Sequence, residues 1–166
     1  ADGKNNLNNI LETVSIHFLD LAILNFGSIV KSHNISNLIS KKGTSHDTSY
    51  LLLNHKNGVL TSILNSYATP LIEELMIVGT NGYLTIRNNK LKIYSPRSTF
   101  DKKGFFISPP ISSTTNFNIK SDYNNSLKKS IHFFISHVKN KKNFSANNYK
   151  LSLETNEILL KLEKNR

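Results

Sequence analysis

Thr13, His17 and Asp20 stand at i, i+4 and i+7 in the run Glu12-Thr13-Val14-Ser15-Ile16-His17-Phe18-Leu19-Asp20. On a helix that spacing brings three polar side chains close to one face. An imidazole can take up or release a proton near neutral pH, and a hydroxyl and a carboxylate beside it can bind or orient a polar group. A buried polar group without a partner costs about 1–3 kcal/mol, so the trio requires either protein partners or a ligand. From the residues alone His17 has two readings, a core histidine satisfied by a neighbour or an active-site one. Leu11, Phe18, Leu21 and Leu24 form the apolar stripe expected to anchor this helix.

The other five histidines offer less. His132 and His137 are five apart and diverge on a helix, and no pair has the H-E-x-x-H spacing of a zinc site. His33, His46 and His55 fall in strand or loop context and are expected to face solvent. No metal site is expected. There is no cysteine, so there is no disulfide framework and no thiolate metal site, which fits a cytoplasmic protein. The chain has no G-x-G-x-x-G, no Walker A sequence and no G-x-S-x-G. Gly79-Thr80-Asn81-Gly82 joins two strands rather than a strand and a helix, so it is not a phosphate loop. No cofactor site is expected in this chain.

With 166 residues, 38% of them hydrophobic, the chain reads as a single domain over 1–166 with a full core. No apolar run approaches the roughly 20 residues that span a bilayer, and no signal peptide is visible. The start, Ala1-Asp2-Gly3-Lys4, reads as a cut boundary. The net charge of +10 invites a nucleic-acid partner. Lysine and asparagine abundance of the kind AT-rich coding produces, with scattered lysine pairs, reads instead as a solvated basic surface. Neither a nucleic-acid nor a membrane partner is expected.

Asn8 or Asn9 is the expected cap of a first helix that runs to about Asn25 and stops at Gly27. Ile29 to Ile39 reads as extended and Lys41 to Ser45 as a loop. Tyr50 to Leu53 and Val59 to Tyr67 form a hairpin about Asn57-Gly58. Leu75 to Val78, Tyr83 to Ile86 and Leu91 to Tyr94 continue a meander with tight turns. Arg97 to Lys120 is irregular, with an edge strand near Thr115 to Ile119. Tyr123 to Lys139 is a helix, Asn140 to Asn148 a polar linker, and Leu151 to Leu162 lie on a last helix. The order gives an α+β fold, an open, mostly antiparallel β-sheet with helices packed on one face. Strand residues such as Leu51, Leu53, Leu60, Ile63 and Leu84 leave apolar side chains for both faces.

Four segments together resemble the C-terminal domain of the Gfo/Idh/MocA oxidoreductases, the relatives of glucose-fructose oxidoreductase and inositol dehydrogenase. His17-Phe18-Leu19-Asp20 matches a helical H-[ILYF]-[ILV]-D, followed by Gly27 and a strand. Asp47 to Leu52 with Asn57-Gly58 and Ser66 is like the family's "D … L … F … N-G … S" hairpin. Ile77-Val78-Gly79-Thr80-Asn81-Gly82-Tyr83-Leu84 matches "I-x-G-T-x-G-x-L". The last two helices match in order.

The resemblance implies the substrate-binding and assembly half of an NAD(P)-dependent oxidoreductase acting on a sugar, cyclitol or nucleotide sugar. His17 takes the place of the family's catalytic histidine, and Thr13 and Asp20 are the implied substrate-binding residues. NAD or NADP would be bound by an N-terminal Rossmann domain absent here, so this fragment alone is expected to be inactive. The open sheet face would carry homo-oligomerisation. Where many relatives have Asp four residues before the histidine, this chain has Thr13, which favours a nucleotide-sugar substrate. The alternative of another class is a non-catalytic α+β module that binds carbohydrate or protein.

Overall fold

Along Thr48–His55, side chains alternate strictly between cover and water. Ser49, Leu51, Leu53 and His55 are buried, while Tyr50, Leu52 and Asn54 are exposed. A period of two makes this a strand with one face in a core. It is β2 in the computed structural model, which describes residues 9–40, 43–143 and 145–164. β1 (Ile29–Asn37) and β3 (Leu60–Ser66) flank it, both antiparallel, in the order β1-β2-β3. The register aligns Asn34, Leu51 and Ile63 in one row and Ser36, Ser49 and Asn65 in the next. The hairpin turns at Asn57-Gly58, where Gly58 has φ 86°, a conformation that a side chain would strain.

α1 (Ile16–Phe26) and α3 (Ala146–Lys164) supply the other side of this core. Leu19, Ala22 and Ile23 meet Leu51, Leu53 and Ile63, with Ile158, Leu159 and Leu162 of α3. Each large aliphatic chain buried there contributes about 1.5–3 kcal/mol. Two buried polar side chains fix the margins. His55 donates from Nδ1 to the Gly27 carbonyl at 2.7 Å and meets the Thr61 hydroxyl at 3.0 Å through Nε2. It thereby ties the end of α1 to the β2–β3 hairpin. Asp47 sits under the β1–β2 connection and accepts from the amides of Ile39 and Ser40, both at 2.9 Å, and from the Ser40 and Thr48 hydroxyls.

Ile72–Asn143 forms a second compact unit. β4 (Glu74–Gly79), β5 (Gly82–Arg87), β6 (Lys90–Tyr94) and β7 (Ile111–Asn116) make an antiparallel sheet in that order. Its turns are the expected ones. A Cβ on Gly82 would lie 2.1 Å from the Tyr94 carbonyl oxygen, so only glycine fits. Asn88 and Asn89 take φ of 50° and 61°, the hairpin geometry asparagine tolerates. The register puts Leu75, Ile77, Leu84, Ile86, Leu91 and Ile93 on one face. The other face carries the stacked rings of Tyr83 and Tyr94, 4.3 Å apart. α2 (Ile119–Lys139) begins at Asn118, which accepts from the Ser121 amide while its own amide bonds Asp122. No described side chain of this unit is fully buried.

The fold is α+β with open antiparallel sheets, and several details differ from the sequence reading. The strands divide into sheets of three and four rather than one meander. The third-last element is a strand at Ile111–Asn116, not Thr115 to Ile119, because the Asn118 cap starts α2 at once. α3 starts at Ala146, inside the expected linker. Phe18, Leu21 and Leu24 do not anchor α1. They are exposed at 45%, 43% and 62%, and of the expected stripe only Leu11 is in the core. The helix is apolar on nearly every side, so periodicity alone could not choose the stripe. His55 does not face solvent but is buried at 2%, because the alternation of β2 points it inward. His46 is partly buried, with its Nδ1 shielded and unpartnered. Of the strand leucines, Leu51 and Leu53 turn inward with Ile63, and Leu60 turns outward. Ala1 to Lys4, Asn8 and Lys41-Lys42 lie outside the described residues.

Burial by itself would raise the Asp47 carboxyl, but the bonds from Ser40, Ile39 and Thr48 outweigh it and hold it at about 2, below its ordinary 3.8. The carboxylate therefore stabilises the fold above pH 3.8, and that contribution is lost as the pH falls through about 2. Asp47→Asn should lower unfolding free energy at pH 7 by about 1.5–3 kcal/mol in urea titrations. The gap to the parent chain should shrink steadily between pH 4 and pH 2.

Candidate functional site

The chain reaches α1 through Asn9, whose side chain caps the start by accepting from the Leu11 amide at 3.1 Å. Its carbonyl accepts from the amides of Glu12 and Thr13. The helix then opens into a π-turn over Leu11–Ser15, in which the Ile16 amide reaches back to the Leu11 carbonyl. Wide turns of this kind are uncommon and frequent at functional sites. α1 proper begins at Ile16, so His17 lies in its first turn, just past the wide one.

The π-turn and α1 send the predicted trio to two places. His17 and Asp20 border a shallow groove with Ile16, where Ser152, Thr155 and Asn156 of α3 form the opposite side. His17 is exposed and makes no hydrogen bond among the described residues. Asp20 does not orient it. Its Oδ1 accepts from the Thr155 hydroxyl at 2.9 Å, a bond that joins α1 to α3. Thr13 turns toward β3 instead. Its hydroxyl lies 3.0 Å from both the Asn9 carbonyl and the Tyr67 hydroxyl. The carbonyl can only accept, so the single Thr13 proton goes to it, and Tyr67 is the donor to Thr13. Next to this pair, Asn65 Nδ2 donates to the buried Ser15 hydroxyl at 3.0 Å.

The groove thus offers a free imidazole, a carboxylate with one oxygen engaged, and the polar side chains of α3. That set can bind hydroxyl-rich groups and exchange a proton with one of them. Among the described residues no cluster of three His, Asp or Glu could hold a metal ion. A separate depression between β1 and α3 is lined by Lys150, Glu154, Glu157 and Lys161. Glu154 is already engaged there, accepting from the Ser28 hydroxyl and the Ile29 amide. Sequence reasoning missed Thr155, Ser152, Asn156, Asn65 and Tyr67. Thr155 is more than a hundred residues from Asp20, and no local spacing announces that contact. The even spacing of Ile63, Asn65 and Tyr67, along β3 and one residue past it, was the one available sign that the two polar residues face the helix.

No family model matches the sequence, and no curated protein matches it. The fold does match solved structures. An oxidoreductase from Agrobacterium radiobacter, in complex with NAD+, L-tartaric acid and magnesium, aligns over 99% of this chain and 50% of its own, at 19% identity and TM-score 0.68. A UDP-N-acetylglucosamine 3-dehydrogenase from Acidithiobacillus ferrooxidans aligns over 93% of this chain and 46% of its own, at 14% identity and TM-score 0.66. A myo-inositol dehydrogenase from Corynebacterium glutamicum aligns over 96% and 47%, at 20% identity and TM-score 0.62. The chain spans about half the length of these structures. Its fold is the one the sequence resemblance implies.

The two groove residues should separate by stability. Asp20→Ala removes one of the two acceptors in reach of the Thr155 hydroxyl, the Leu151 carbonyl at 3.0 Å being the other, and should cost about 0.5–1.5 kcal/mol in chemical denaturation. His17→Ala removes an exposed, unbonded ring and should change stability by less than about 0.5 kcal/mol.

Proposed function

We propose that this chain is the C-terminal, substrate-binding and assembly half of a Gfo/Idh/MocA-type oxidoreductase, its two units serving as one domain. The reaction is NAD(P)-dependent oxidation of a sugar, cyclitol or nucleotide sugar. The observation that carries the proposal is the unengaged imidazole of His17 in the groove between α1 and α3, on a fold that makes up about half of several oxidoreductase chains. Oxidising an alcohol requires a base for the hydroxyl proton, and an exposed histidine free of protein bonds is suited to accept it. Asp20 and the α3 side chains would bind substrate hydroxyls beside it. Thr13 keeps one acceptor lone pair for a substrate, its proton being committed to Asn9. Its presence in place of Asp favours a nucleotide sugar.

The Gly79–Gly82 turn does not fit a dinucleotide. Gly79 and Gly82 bound a turn between antiparallel strands, and the space at Gly82 is filled by the Tyr94 carbonyl. NAD or NADP would be held by a nucleotide-binding half outside this sequence. No described helix is long and apolar enough to cross a membrane, and a cytoplasmic location belongs to the proposal.

The outer face of the three-stranded sheet supports the assembly role. Ile35, Tyr50 and Leu64 are register partners and Leu52 lies in the next row, all at least 36% exposed. Contiguous apolar surface of this kind marks an interaction site, and we assign it to a second copy. Light scattering should report an oligomer, and Leu64→Asp should shift it to the monomer mass. A parent chain that stays monomeric at high concentration counts against the assignment.

The catalytic part is tested in the protein that joins this chain to its nucleotide-binding half, with UDP-N-acetylglucosamine or myo-inositol and NAD+ or NADP+. His17→Ala should lower kcat by about 10²–10⁴-fold while the melting temperature holds. If turnover survives the substitution, His17 is not the acid–base group; if the parent protein shows no turnover either, the chain is the non-catalytic binding module instead.

A further inference from the structure

Given His17 as the acid–base group proposed above, we infer that Asn65 and Tyr67 are positioning residues for it, acting through the π-turn at the head of α1. A π-turn carries one residue more than the α-helix allows per turn and rarely persists without support. Here the support comes from one strand end. Asn65 donates to Ser15, and Tyr67 donates to Thr13, each at 3.0 Å. The two donors are two apart on an extended backbone and so share a face. Their acceptors are two apart in the wide turn. Thr13 passes its own proton to the Asn9 carbonyl, so the tie runs from β3 across the turn to the residue that caps it.

The far end of α1 is fixed independently. Leu19, Ala22 and Ile23 are in the core, Asp20 is bonded to Thr155, and the Gly27 carbonyl is bonded to His55. His17 lies between the tied turn and that fixed segment, with no hydrogen bond of its own among the described residues. The backbone therefore sets where its Cα–Cβ bond points, and the ring takes its rotamers about that direction. If the two ties are cut, the turn can rewind as an α-helix and absorb the extra residue. Each residue of register is worth about 100° of rotation about the helix axis. The junction where that rotation is taken up is Ile16-His17, so the end of β3 governs where the imidazole points.

Tyr67→Phe removes a single hydroxyl and Asn65→Ala a single amide, and neither residue is in the groove. Both variants and their double should be made in the full-length protein beside His17→Ala. Amide exchange at Ile16, the residue bonded to the Leu11 carbonyl, should quicken about tenfold in each single variant while Ile23 is unchanged. The His17 ring resonances should move while those of His33, on β1, stay in place. With the substrates above, kcat should fall by more than any change in KM, because Thr13 lies in the same turn. Unchanged exchange at Ile16, Ile16 and Ile23 rising in step, or a His17 signal that does not move would each overturn the inference. These readouts do not require turnover, so they can fail while His17→Ala still abolishes activity, or hold where it does not.

Discussion

A three-stranded sheet has two faces, and two helices can cover only one of them. Most of what distinguishes this chain follows from that limit. β2 alternates so that Ser49, Leu51, Leu53 and His55 go under α1 and α3, and Tyr50, Leu52 and Asn54 stay outside. The covered face fixes Leu19, Ala22 and Ile23, and through them the direction of α1. Only then do His17 and Asp20 come to border α3 across the groove. The uncovered face is left with Ile35, Tyr50, Leu52 and Leu64, which gives the proposed assembly surface its material. Site and assembly surface are thus opposite results of one burial pattern.

The charge is distributed less evenly than the scattered lysines suggest. Ile72–Asn143 holds twelve lysines and arginines against four acids, +8 of the chain's +10. Like charge at that density opposes the approach of a second copy along this unit, most strongly at low salt. The outer face of β1, β2 and β3 carries far less charge by comparison, with the apolar Ile35, Tyr50, Leu52 and Leu64 beside Lys31, His33, Asn54 and Ser62. Self-association through the first unit is therefore less opposed than through the second, although the second has fewer buried side chains.

Much of this was legible in the sequence where the signal was local. The Asn57-Gly58 and Asn88-Asn89 turns, the Gly79 to Gly82 connection and the strand alternation all depend on neighbours a few residues away, and the structure has them. The stop of α1 at Gly27 is of the same kind, with φ 80° there. What could not be read depended on distance along the chain or on degeneracy. α1 is apolar on several sides, so the choice of Leu19, Ala22 and Ile23 over Phe18, Leu21 and Leu24 belongs to the sheet it meets. The π-turn has no composition of its own, and the two side chains bonded to it, Asn65 and Tyr67, stand some fifty residues on. The trio spacing correctly marked a polar helix start, but straight-helix geometry could not foresee that Thr13 would turn away from His17.

Many of the ties that set this fold end on backbone atoms rather than on side chains. Asp47 holds the amides of Ile39 and Ser40, Glu154 holds the amide of Ile29, His55 holds the carbonyl of Gly27, and Asn57 holds the carbonyl of Phe26. In such a pair only one partner is constrained in identity. The other can be replaced by nearly any residue that keeps its backbone in place. A fold joined this way can drift through sequence space at half the positions it uses, with no compensating change required at the other half. Such ties accord with a chain that shares only 14–20% of its residues with the oxidoreductases described above and superposes on them at TM-scores of 0.62–0.68. The constraint on residue type falls on the anchors, Asp47, Glu154, His55 and Asn57, rather than on the residues whose backbone they grip.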